Sequence, residues 1–127
     1  MKRIISILIL LLVLNSYGQT NKENELLGRK NAEEELKIAL RNNKEHNVVD
    51  NKSLIIKDSL TAIKVAEPIL FSIYGKEQIE EQKPYEIYLI NNHWIISGVL
   101  PEDYVGGTFL IIIDGRNGKV IRVTHGK

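Results

Sequence analysis

The sequence predicts an α+β domain in which one long helix, or a pair of helices, packs on a curved four-stranded antiparallel meander. Three observations carry this. Ala62, Ile63, Val65, Ala66, Ile69, Leu70 and Ile73 recur at helical spacing as one wide apolar face. After Gly75 the hydrophobic period changes from 3.6 to 2. The strand-like runs that follow are joined by short links, which favour antiparallel neighbours.

Each element has its own signal. Asp58-Ser59 offers an N-cap pair for the long helix. Thr61, Lys64, Pro68 and Ser72 mark its opposite side, and Pro68 removes one backbone donor, which predicts a kink. Gly75 is the expected C-terminal stop. The four strands are read over 85–90, 93–100, 107–114 and 119–125. Asn91-Asn92 suits a tight turn because Asn tolerates positive φ, and Gly115-Arg116-Asn117-Gly118 makes another. Pro101 to Gly106 is the longest connection. The third strand is apolar on both sides, with Phe109, Ile111 and Ile113 on one and Leu110 and Ile112 on the other. Its second face therefore needs cover from the N-terminal helix, from sheet curvature or from a partner.

The 127 residues suffice for one domain. Lys plus Arg is 17 against 16 Asp plus Glu, a balance that argues against nucleic acid and against a polybasic membrane module. The absence of cysteine excludes a disulfide framework, a thiolate metal site and a Cys nucleophile. Residues 1–18 have the layout of a secretory signal. Lys2-Arg3 is followed by an apolar run from Ile4 to Leu14 and small residues at 16 and 18, so export to the periplasm or envelope and a cut after Gly18 are expected. Residues 19–53 hold nine apolar and 14 charged residues among 35, the composition of a tether. Within it, Asn31 to Arg41 reads as a short amphipathic helix capped by Asn31, with Leu36, Ala39 and Leu40 on one face. Residues 54–127 are the expected folded core.

Several stretches of that core, taken in order, resemble a known family. They are Thr61-Ala-Ile-Lys-Val-Ala-Glu67, Ile73-Tyr-Gly75, Lys83-Pro-Tyr85, Trp94-Ile-Ile-Ser-Gly-Val-Leu-Pro101, Gly106-Gly107, Ile113-Asp114 with Gly118-Lys-Val120, and His125-Gly-Lys127. Together they resemble the NTF2 fold immunity proteins over about residues 54–127. The resemblance implies an NTF2-like, or cystatin-like, fold with helices in the hollow of a curved sheet. It also implies a gene beside a polymorphic toxin, Rhs-type ones included, and a protein that neutralises its cognate toxin by binding it. Export would place the meeting in the envelope.

The residues offer little chemistry of other kinds. His46, His93 and His125 share no metal-ligand spacing, so no metal and no cofactor is expected. His125 is in phase with Ile121 and Val123. It is either a terminal histidine held by strand pairing or a residue at the mouth of the hollow, facing a carboxylate. Glu77, Glu80 and Glu81 read as a solvated cluster after the helix, or as an acidic patch for a basic partner face. No serine has a nucleophile-elbow context and Gly106-Gly107 lacks the phosphate-loop spacing, so no catalytic residue is assigned. Gly106 and Gly107 are expected at a bend or bulge. Trp94 is expected in the core under the helix, with Gly98 making room for its ring.

These readings converge on a non-enzymatic, exported protein that binds a toxin. Its partner-binding residues are expected to be Glu102, Asp103 and Tyr104 in the longest loop, with Arg122 and His125 at the sheet's end; Trp94, Gly75, Gly98, Gly106 and Gly107 are structural. Neither nucleic acid nor a stable membrane anchor is an expected partner. Two alternatives stay open: a PepSY-like envelope inhibitor or sensor module, and an NTF2-like small-molecule-binding protein.

Overall fold

The computed structural model describes residues 25–126. The expected signal segment and its cut after Gly18 lie outside the described residues. The described chain falls into two units that divide between Asn43 and Lys44.

The first unit contains helix α1, Gly28–Arg41, none of whose residues is buried. The helix starts earlier than the Asn31 cap predicts. Leu27 stands at the N-cap without a side-chain acceptor, and Asn31 lies inside the helix. Two exposed ion pairs between successive turns support that extension, Arg29 with Glu33 at 2.7 Å and Lys37 with Glu34 at 3.1 Å.

The second unit holds helices α2, Ser59–Tyr74, and α3, Lys76–Glu80, then strands β1, Glu86–Ile90, β2, His93–Ser97, β3, Phe109–Asp114, and β4, Val120–His125. The strands pair antiparallel in the order β1-β2-β3-β4, which is the expected meander. Asp58 caps α2: its carboxylate accepts from the Thr61 N–H at 2.8 Å and from the Thr61 hydroxyl at 3.0 Å. These bonds hold the Asp58 carboxyl below its ordinary value. Gly75 ends α2 at φ +91, where a side chain would be strained. The helix runs through Pro68.

Ala62, Ala66 and Leu70 are the buried stripe of α2. They pack over β2 and β3, against Trp94, Ile96, Phe109, Ile111 and Ile113. Ile73, expected on this face, is 53% exposed, and Phe71 and Tyr74 pack on the core in its place. At 100° per residue Ile73 lies in line with the stripe of 62, 66 and 70, so its exposure is set by what the last turn of α2 packs against and not by helical phase. The sequence reading also missed α3. Glu77, Glu80 and Glu81 read from sequence as a solvated cluster after α2, but the short helix there turns Ile79 fully into the core.

Trp94 is 6% exposed, and its Nε1 donates to the Ile56 carbonyl at 2.9 Å. The Ile55 and Ile56 N–H groups donate to the Gly115 carbonyl at 2.9 and 3.0 Å, so the segment before α2 runs along the β3–β4 turn. The glycine beside the indole is Gly115, not Gly98. A Cβ at 115 would stand 3.2 Å from Trp94 Nε1, whereas one at 98 would strike the Gln82 side chain. Positions 94 and 98 share a face but lie about 13 Å apart along an extended chain, so Gly98 serves the opposite end of the sheet.

The other face of the sheet carries Tyr88, Ile95, Ile112 and Arg122 in one cross-strand row. Leu110 and Ile112 are half-buried there, and Tyr88 is 55% exposed. A register shift between Ile112 and Ile113 puts a bulge in the β3–β4 pair, the device that bends a strand and increases its twist.

Trp94→Ala is expected to cost about 3–5 kcal/mol of stability through the lost ring. Trp94→Phe, which keeps an aromatic but loses the bond to Ile56, should cost about 1–3 kcal/mol through the unpaired carbonyl. Urea melts of the two variants measure both. Equal midpoints for Trp94→Ala and wild type would contradict the packing described.

Candidate functional site

One end of the sheet is built around a buried glutamine. Gln82, 5% exposed, follows α3. Its Oε1 accepts from the Phe109 N–H at 2.9 Å, and its backbone carbonyl accepts from the Val99 N–H at 2.8 Å. A backbone N–H can only donate, so the Phe109 bond orients the amide. Nε2 then donates to the Gln78 carbonyl at 3.2 Å and faces His125 Nε2 at 3.5 Å. His125 Nε2 therefore sits as the acceptor and Nδ1 carries the hydrogen, directed at the Gly126 carbonyl 3.3 Å away. Close approach makes this possible. A Cβ at Gly98 would occupy the place of the Gln82 side chain, and one at Gly107 would run into the Gly126 carbonyl.

The chain leaves β2 at Ser97 and returns at Phe109. The intervening loop turns through a Tyr104 N–H to Pro101 carbonyl bond at 3.0 Å. Between this loop and α3 lies a cleft of about 460 Å³. Leu100, Pro101, Tyr104 and Val105 line one side, Gln78 and Glu81 the other, with Gln82, Gly107 and His125 at its floor. Tyr104 is 68% exposed and Val105 fully so, two apolar side chains held out in water.

The expected site residues divide. Tyr104 and His125 meet at the cleft, with Gly106 and Gly107 beside them. Glu102 and Asp103 stand exposed on the same loop. Arg122 is elsewhere: it pairs opposite Ile112 on the other face of the sheet, because residues 122 and 125 differ by an odd number along a strand. Nor, among the described residues, is His125 paired with a carboxylate; its neighbours are Gln82 and the Tyr74 ring, 5.3 Å between centroids. The sequence reading missed Gln82 and Gln78, which have no hydrophobic phase to announce them. Only the glycine at 98, an open position on the core face, hints that another side chain lies there.

Two polar clusters brace the unit away from the cleft. Tyr85 donates from its hydroxyl to Glu67 at 2.9 Å and stacks edge-on with Phe109, tying α2 to the entry of β1. Burial, then the Glu67 carboxylate, pushes the Tyr85 hydroxyl well above its ordinary value. At the far end of the sheet Asp114, 5% exposed, accepts from Arg116 through Nε at 2.9 Å, Nη2 at 2.8 Å and the backbone N–H at 2.9 Å. Those bonds hold its carboxyl far below the usual range. Among the described residues no group of three or more acidic or histidine side chains is arranged to hold a metal ion. No described helix is long and apolar enough to cross a membrane.

The family described as NTF2 fold immunity protein matches residues 61–127, from the first turn of α2 through the sheet and the cleft. The chain belongs to this family. The uncharacterized protein YhhH of Escherichia coli (strain K12) is 29% identical over 114 residues, which cover 89% of this chain and 79% of YhhH. YbbC of the same strain is 37% identical over 73 residues, covering 57% of this chain and 60% of YbbC. No solved structure matches the chain. The helix-on-meander architecture agrees with the NTF2-like fold of these immunity proteins. Gln82, Gly98, the loop and His125 all fall within the matched segment.

The Asp114 carboxyl has a pH signature in this immunity protein. A depressed carboxyl contributes stability above the unfolded value, about 4, and loses it as pH falls from there. Asp114→Asn should therefore melt below wild type at pH 7, and the gap should narrow between pH 4 and pH 2. A gap independent of pH in thermal melts would assign Asp114 no charged role.

Proposed function

We propose that this immunity-family protein neutralises a cognate toxin by stoichiometric occlusion, through the Pro101–Gly106 loop and the cleft beneath it. One observation carries the reading: the loop holds Tyr104 and Val105 in water on a scaffold pinned by Gln82. Exposed aromatic side chains on a rigid base are the usual anchors of protein interfaces, and Glu102 and Asp103 beside them supply a charged rim. The family supplies the kind of partner. The mechanism is burial of the toxin's working surface, with no bond made or broken, so the protein acts as a binder and not as an enzyme. The partner is expected from the adjacent gene. The signal layout of residues 1–18 favours a meeting in the cell envelope.

Titration against the product of the adjacent gene tests this. Tyr104→Ala should weaken binding by about 2 kcal/mol and leave the melting temperature unchanged. Glu102→Lys with Asp103→Lys should slow association and alter its salt dependence. Wild-type affinity in Tyr104→Ala would remove the loop from the interface. Intact mass of protein from the envelope fraction checks the export reading. A chain beginning at Gln19 is expected, and full-length protein in the cytoplasm would overturn it.

A further inference from the structure

The groove under the loop has apolar walls, and the charged side chains of the loop and of α3 around it are, among the described residues, acidic but for Lys76. Glu77, Glu80 and Glu81 lie on or just after α3, and Glu102 and Asp103 ride on the loop. Against these stands Lys76, whose Nζ is 4.0 Å from Glu80. Among the described residues, Glu77, Glu81, Glu102 and Asp103 form no ion pair. The contrast with the other end of the sheet is plain, since Asp114 there is fully engaged by Arg116. Unpaired like charges around a low-dielectric groove focus a negative field into it and raise the local concentration of cations.

The groove's shape narrows the choice of cation. Its volume of about 460 Å³ admits an extended side chain. Leu100, Val105 and the Tyr104 ring offer apolar surface to a methylene stem, while Glu81 and the Gln78 amide stand opposite as polar ends. Guanidinium suits this setting better than ammonium. It is planar and weakly hydrated, stacks on an aromatic face and can be held by two oxygens of one carboxylate.

We infer that the groove takes an arginine side chain of the partner, with its guanidinium at Glu81 and its stem against Leu100 and Tyr104. The inference rests on the binding reading above and names what the partner presents to the loop.

Blocked arginine, Nα-acetyl-arginine amide, is the probe, and its neutral isostere Nα-acetyl-citrulline amide is the control. Each is titrated into the labelled full chain and followed by the backbone amide resonances. Arginine should shift Glu81, Tyr104 and Gly107 in the millimolar range, and citrulline should bind about tenfold more weakly for want of the charge. Glu77→Gln with Glu81→Gln, both exposed positions, should bring arginine down to the level of citrulline without moving the melting temperature. Equal binding of the two probes would overturn the inference, as would arginine shifts no stronger at the groove than at Glu33–Glu35 of α1. The partner is titrated in parallel. Unchanged partner affinity in the double variant overturns the groove assignment alone, whereas a wild-type protein that fails to bind the partner overturns the occlusion reading itself.

Discussion

The architecture depends on how closely one helix can lie on the sheet. Ala62 and Ala66 put methyl groups, not branched side chains, at the contact, and both are essentially fully buried. That lets α2 settle over Phe109, Ile111 and Ile113, none of which has any exposed surface. Each such burial contributes about 1.5–3 kcal/mol, and close packing makes the contribution sensitive to the loss of single methylenes. Larger residues at 62 or 66 would lift the helix from β2 and β3. Leu70 at the next position of the stripe, and Ile79 from α3, then close the core at the end where the chain turns into β1.

That packing leaves the two ends of the sheet with different tasks. At one end the turn after β3 is closed on itself. Asp114, Arg116, Asn117 and Gly118 satisfy each other through side-chain and backbone bonds, and the Trp94 indole is bonded to the strap at Ile56. At the other end Gln82 gives a buried polar anchor to the first N–H of β3, and everything beyond it opens outward. Buried amides are costly unless every donor and acceptor is met, and Gln82 meets that condition through Phe109, Gln78 and His125. A rigid base under an exposed loop reduces the ordering cost of association, because the loop's supporting residues are already in place.

Binding by occlusion, as proposed, asks for no catalytic patterning in the chain. Binding by occlusion needs complementarity to one surface, not a nucleophile, a base and an oxyanion site held in register. Its residues can be an aromatic, a few carboxylates and the glycines that bring backbones together. Such residues carry no fixed spacing, so the family was legible in the core motifs, while Gln82 and Gln78, which build the cleft under the loop, were not.

The helix, its Asp58 cap, its Gly75 stop, the four strands and their antiparallel order were all readable from period, caps and turn residues, since each of these is decided within a few residues of chain. The burial of Trp94 followed from its phase with Ile96. What the sequence alone could not reveal are contacts between residues far apart in it. Gln82 meets Phe109 and His125 across 27 and 43 residues, Trp94 meets Ile56 across 38, and Gly115 rather than Gly98 receives the indole. The separation of Arg122 from His125 follows from the pleat once β4 is paired, and the α3 turn that buries Ile79 is too short to show a period. Local propensity determined the elements. The pairing register and the closeness of the helix decided which side chains meet, because those distances are set by the packed whole and by no single segment.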